Sequence, residues 1–205
     1  RRFPLAEKFG VGLMLVFLTL HLASGLWIKR LHHPDEVWTL DAIQASFDQL
    51  LIFVLGQDNH PPLYYLCAKA WMAIAGNSIE AVRLLSFAFA LLTLAVFFFF
   101  HCRYRSIPFV VPLLLLGSNP LFTYYAVTVR PYAMVVLLST ISTLCALVLR
   151  GSSVSKSCRG GSLTLHPTER FLLVLSFYLS CLLLGLTHYY GSLYAVLLLS
   201  WDFFS

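Results

Sequence analysis

The chain has 205 residues, of which 59% are hydrophobic and only 11% charged, against about 25% charged in an ordinary soluble domain. That balance excludes a soluble globular domain and points to an integral membrane protein. The net charge of +5 comes from basic residues scattered at the ends of apolar runs, where they act as topological anchors and carry no nucleic-acid signal.

In chain order, the first apolar run is Phe9 to Ile28, 20 residues behind Arg1, Arg2 and Lys8. A signal-peptide core is about 7–15 residues, so an uncleaved spanning helix is predicted. After Lys29-Arg30-Leu31-His32-His33, Pro34 suits a first helical position, and Asp35 and Glu36 suit a first turn, where the helix dipole favours anions. Val37, Leu40, Ile43, Phe47, Leu50, Leu51 and Val54 then recur at steps of three and four. Asp41, Gln44 and Asp48 fall on another face, which predicts one amphipathic helix along the membrane surface, ended by Gly56.

Asp58-Asn59-His60-Pro61-Pro62-Leu63-Tyr64-Tyr65 follows. Pro61 to Gly76 is read as a helix of 16 residues, roughly 24 Å long and short against a hydrocarbon core of about 30 Å. It is placed at the interface. Four more apolar segments follow: Leu84–Phe100, Ile107–Val129 interrupted at Asn119-Pro120, Pro131–Leu149, and Phe171–Trp201. The last has 31 uncharged residues, roughly 46 Å as one helix, so it is expected to break near Gly185 to Gly191.

The fold class predicted is all-α: a polytopic transmembrane bundle of about six spans in a single domain, 1–205. The outer loop, 29–83, carries two interfacial helices, and 150–170 is a cytoplasmic loop. With the N-terminus in the cytoplasm, that side receives nine basic residues (Arg1, Arg2, Lys8, Arg103, Arg105, Arg150, Lys156, Arg159, Arg170). The far side receives five (Lys29, Arg30, Lys69, Arg83, Arg130), as the positive-inside rule requires. A spanning Pro61–Gly76 reverses this balance.

The same topology puts Asp35, Glu36, Asp58, His60, Arg83, Arg130, Tyr132 and His188 at the outer face. Ionisable residues at a membrane default to a functional hypothesis. Carboxylates act as general bases toward a hydroxyl or bind a divalent metal ion. Arg offers a fork for phosphate, and His donates to phosphate or shuttles a proton. Together these groups suit group transfer from a phosphate-linked donor, and the apolar surround suits a donor with a lipid tail.

Each group also has a plainer reading. Asp35-Glu36 suits a helix N-terminus, Pro61-Pro62 a helix start, Tyr64 and Tyr65 an aromatic belt, and Arg83 a snorkelling anchor. His32 and His33 with Asp35 make a poor metal set, because adjacent residues rarely face one site. The five cysteines show no CxxC spacing and read as small core residues.

The order Asp35-Glu36, His60-Pro61-Pro62-Leu63-Tyr64-Tyr65, Arg83-Leu84-Leu85-Ser86, Ser118-Asn119-Pro120, Arg130-Pro131-Tyr132 and His188-Tyr189-Tyr190 resembles the membrane glycosyltransferases of the GT-C type. It is most similar to their family-39-like branch, which includes protein O-mannosyltransferases and lipid A aminoarabinose transferases. The resemblance covers nearly the whole chain and implies a polyprenyl-phosphate-linked sugar donor and transfer to an acceptor hydroxyl outside the cytoplasm. It implies Asp35 as base and Glu36 as its orienting partner or an acceptor contact. Asp58, His60, Tyr64, Arg83, Arg130, Tyr132 and His188 are expected around the donor. His60 stands where some relatives have Lys. Relatives usually carry more spans, so the chain is expected to be the N-terminal membrane portion of such an enzyme. The membrane expected is a prokaryotic inner membrane, with the endoplasmic reticulum as alternative. Two other classes compete: a non-catalytic membrane subunit, and a transporter, which predicts charges spread through the depth of the bilayer.

Overall fold

The computed structural model describes residues 5–28, 34–56, 58, 60–104, 110–154 and 165–203. The described residues are mostly helical: α1 (Leu5–Ile28), α2 (Pro34–Gln44), α3 (Phe47–Gly56), α4 (Leu63–Ala75), α5 (Ile79–Arg103), α6 (Val110–Gly117), α7 (Pro120–Ala126), α8 (Tyr132–Val154), α9 (Pro167–Gly185) and α10 (Tyr189–Phe203). Three helices are long and apolar enough to cross a membrane: Ile79–Arg103, Tyr132–Gly151 and Pro167–Gly185. Shorter apolar stretches lie at Gly10–Leu26, Phe47–Gly56, Leu63–Ala75 and Tyr189–Ser200. His32, His33, Lys29, Arg30 and the basic residues Arg1, Arg2, Arg105, Lys156 and Arg159 lie outside the described residues.

α8 packs along α5 and α9 and forms the centre of the bundle. α1 runs beside α6 and α7 in the same direction: Leu18 lies at Gly117, His21 meets Thr123 at 3.2 Å, and Gly25 lies at Val127. The bundle therefore has two distinct ends. At one, Arg103 and Tyr104, at the end of α5, bind Glu169 at the start of α9, with the ion pair at 2.7 Å and the Tyr104 hydroxyl donating at 2.9 Å. At the other end, α2 to α4 gather over the start of α5, the α7–α8 turn and the α9–α10 corner.

Local sequence sets most of the breaks. Asn119 caps α7 by accepting from the Leu121 and Phe122 N–H groups at 2.8 and 3.3 Å, with Pro120 at the first helical position; both are favoured there. Ser78 caps α5 in the same way through Ala81 N–H. α5 thus begins at Ile79, ahead of the expected Leu84, and Arg83 stands inside it. The long last run does break, between Gly185 and Tyr189. A Cβ on Gly191 would lie 2.6 Å from the Leu184 carbonyl oxygen, so the close crossing of α9 and α10 requires glycine there.

The surface helix predicted from 37 to 54 is two helices. Ser46 and Gln49 form a reciprocal capping box: Ser46 Oγ accepts from Gln49 N–H and Gln49 Oε1 from Ser46 N–H, at 3.3 and 3.1 Å. This starts α3 afresh. Lys69 of α4 closes the break by donating from Nζ to the Ile43 and Ala45 carbonyls, at 2.9 and 2.5 Å. It meets carbonyls that the end of α2 leaves without helical partners. Within the expected apolar stripe, Ile43, Leu50 and Val54 are buried, whereas Val37 and Phe47 are exposed. α2 instead buries Glu36 and Thr39, because two arginines reach them.

Candidate functional site

Asp35 and Glu36 are neighbours with opposite surroundings. Glu36 is wholly buried. Its Oε1 accepts from Arg83 Nε at 3.1 Å and from Val129 N–H at 2.9 Å, and its Oε2 from Arg83 Nη2 at 2.9 Å. One carboxylate thus joins α2, α5 and the turn between α7 and α8. This forked pairing matches the guanidinium to both oxygens. Glu36 and Arg83 are therefore held by each other, and the position is that of a strut beneath the site.

Asp35 points the other way. Its side chain is 52% exposed, with Arg130 Nη2 at 3.6 Å from Oδ2. Arg130 comes from the Thr128–Pro131 turn ahead of α8 and is itself buried. Its Nη1 donates to Thr39 Oγ1 at 3.3 Å, and its buried Nε has no hydrogen-bond partner among the described residues. A buried guanidinium whose donors are only partly used is prepared to accept an anion.

The third part is built from the Asp58–Tyr65 stretch and the α9–α10 corner. Asp58 accepts from the Tyr65 hydroxyl through Oδ2 and meets His60 Nδ1 at 2.9 Å through Oδ1. His60 packs edge-on against His188, ring centroids 4.8 Å apart. His188 stacks on Tyr190 at 5.1 Å and lies 5.4 Å from Tyr132. The Leu63 N–H donates to the Leu186 carbonyl at 3.0 Å and ties the start of α4 to this corner. The Tyr190 backbone N–H donates to His188 Nδ1 at 3.2 Å, which fixes the neutral ring with its proton on Nε2. Burial, then the nearby His60 and Arg130, push the His188 pKa down to about 4 against a smaller opposing pull from Asp58. At neutral pH the ring is an uncharged N–H donor.

Arg130 connects the parts electrostatically, since its charge acts on both Tyr65 and His188. Burial, followed by the Asp58 hydrogen bond, raises the Tyr65 pKa, so the phenol stays a donor to Asp58. Tyr64 is fully buried, with its hydroxyl 3.2 Å from Ser86 Oγ. Of the predicted residues, Asp35 meets Arg130, and His60, His188 and Tyr132 pack ring against ring at the same end of the bundle. Glu36 pairs with Arg83, Asp58 with Tyr65 and His60, and Thr39, which the sequence reading did not single out, with Arg130.

Among the described residues no group of three His, Cys, Asp or Glu side chains is placed to hold a metal ion. No protein-family model, curated protein or solved structure matches the chain.

Proposed function

We propose that the protein is a membrane glycosyltransferase that moves a sugar from a polyprenyl-phosphate-linked donor to an acceptor hydroxyl. The observation that carries the reading is the placement of an exposed carboxylate, Asp35, beside a buried and incompletely bonded Arg130, with two histidines and Tyr132 on the same end of the bundle. Base and anion site are what this transfer needs next to each other. Asp35 takes the proton as the acceptor oxygen attacks the anomeric carbon. The bond from that carbon to the phosphate oxygen breaks, and the lipid phosphate leaves with both electrons. Arg130 and the Nε2–H of His188 meet its charge, and His60, anchored by Asp58, supplies a further imidazole.

The proposed topology has six spans: α1, α5, the α6–α7 pair, α8, α9 and α10. The N-terminus lies in the cytoplasm, and α2, α3 and α4 lie at the outer interface. The transporter alternative is disfavoured, because α5 from Leu84 to Phe100, α8 from Tyr132 to Leu149 and α9 from Phe171 to Gly185 contain no charged residue. A thiol reagent tests the topology directly, since Cys102 is exposed and adjoins Arg103. Labelling from the cytoplasmic side agrees with it, and labelling from outside sinks it. The activity is tested by incubating purified protein with radiolabelled polyprenyl-phosphate sugars. Release or transfer of one sugar supports the reading; inertness of folded protein toward all of them counts against it.

A further inference from the structure

α2 and α3 meet at their capped break and leave an open cleft of about 400 Å³ between them, lined by Trp38, Asp41, Ala42, Gln49, Ile52 and Phe53. This lies within the size range of small-molecule sites. Its floor is aromatic. Trp38 is 52% exposed although it packs on Phe53, ring centroids 5.3 Å apart, so one ring is supported by the other and still open to a ligand. Its rim is polar. Asp41 is exposed, and its carboxylate has no hydrogen bond or ion pair among the described residues. Gln49 commits Oε1 to the cap of α3 and leaves its amide N–H groups available.

The cleft and Asp35 are linked through α2. Asp35, Trp38 and Ala42 recur at steps of three and four along α2, which puts them in one row. Trp38 therefore stands one turn from the exposed carboxylate.

An apolar ring face beside an acceptor (Asp41) and a donor (Gln49) complements a sugar ring, whose C–H face is apolar and whose edge carries hydroxyls. We propose that this cleft is the acceptor subsite and that the acceptor is a saccharide, its ring laid on Trp38 and one hydroxyl directed toward Asp35. The proposal rests on the transferase reading above, because only that reading gives a hydroxyl at Asp35 something to do.

The test separates the two. Protein is prepared in a detergent without a sugar headgroup, since alkyl glycosides would compete. Binding of a panel of methyl glycosides is followed by saturation-transfer NMR with no donor present. At least one glycoside is expected to bind saturably, and Trp38→Ala and Asp41→Asn each to weaken it roughly tenfold. Trp38→Phe, which keeps an aromatic floor, restores most of the binding. The same substitutions raise the acceptor KM in the transfer assay. Absence of binding across the panel, or binding that Trp38→Ala does not alter, overturns the cleft while a protein that consumes donor keeps the transferase reading. Glycoside binding by a protein that consumes no donor overturns the acceptor role together with that reading.

Discussion

The strut beneath the site makes the sharpest stability prediction. Glu36→Gln keeps the shape and an oxygen for the Val129 N–H but removes the charge that faces Arg83. The guanidinium then loses its charged partner Glu36 while its side chain is 4% exposed, and breaking a buried pair in this way costs about 3–5 kcal/mol. For a chain of this length that is roughly 6–20 °C of melting temperature. Arg83→Met strands the opposite charge and should cost a similar amount. The double variant Glu36→Gln/Arg83→Met leaves neither charge buried and retains the Val129 hydrogen bond. It should therefore be more stable than the sum of the single changes predicts, by about 1–3 kcal/mol. Unfolding in detergent is followed with a thiol-reactive dye, because Cys145 and Cys181 are buried and report when the α8–α9 packing opens. Single variants that melt within about 1 °C of wild type, or a double variant that is merely additive, would refute the assignment of Glu36 as a strut.

Gly191→Ala should lower the melting temperature and displace His188, because its Cβ would meet backbone at 2.6 Å. Gly185→Ala is the control: its nearest neighbour would be Ser192 Oγ at 3.9 Å, an ordinary contact, so it should be close to neutral in the same melt. Ser46→Ala removes one half of the α3 capping box and should cost about 0.5–2 kcal/mol, measured by the dye assay. His188 sets a pH dependence. Its folded pKa, about 4, lies below the usual value of about 6.5, so the unfolded chain takes up the proton first. Stability should be unaffected by this group above about pH 6.5, fall as the pH drops from there to about 4, and level off below. A pH series of melts checks this, and His188→Gln should flatten that part of the curve.

Much of the architecture was readable because its determinants are local. Asn119-Pro120 and the Gly185–Gly191 stretch break helices through side chains adjacent in sequence, and apolar runs announce long helices wherever they occur. The division of α2 from α3 was also readable in principle: Ser46-Phe47-Asp48-Gln49 carries the cap signature, but the apolar periodicity continues through it and hides the break. What could not be read was the contrast between Asp35 and Glu36. On a helix the two side chains diverge by about a quarter turn, and which one is buried depends on partners 47 and 93 residues away, Arg83 and Val129. Lys69 shows the same limit. In sequence it is a lone charge in an apolar helix, and only the packing of α4 beneath the break supplies its carbonyl partners. Tyr65 reads equally well as a belt aromatic until Asp58 is seen against its hydroxyl.

The central claim is that the exposed member of the acidic pair takes the acceptor proton beside an anion site. It is tested by comparing wild type with Asp35→Asn in transfer from the labelled lipid-linked sugar that the wild type uses, with donor binding measured on the same samples. Asp35 is half exposed, so the substitution should leave folding intact. The account predicts that Asp35→Asn still binds the donor and loses transfer by about 100-fold or more. Transfer at the wild-type rate by Asp35→Asn would contradict it.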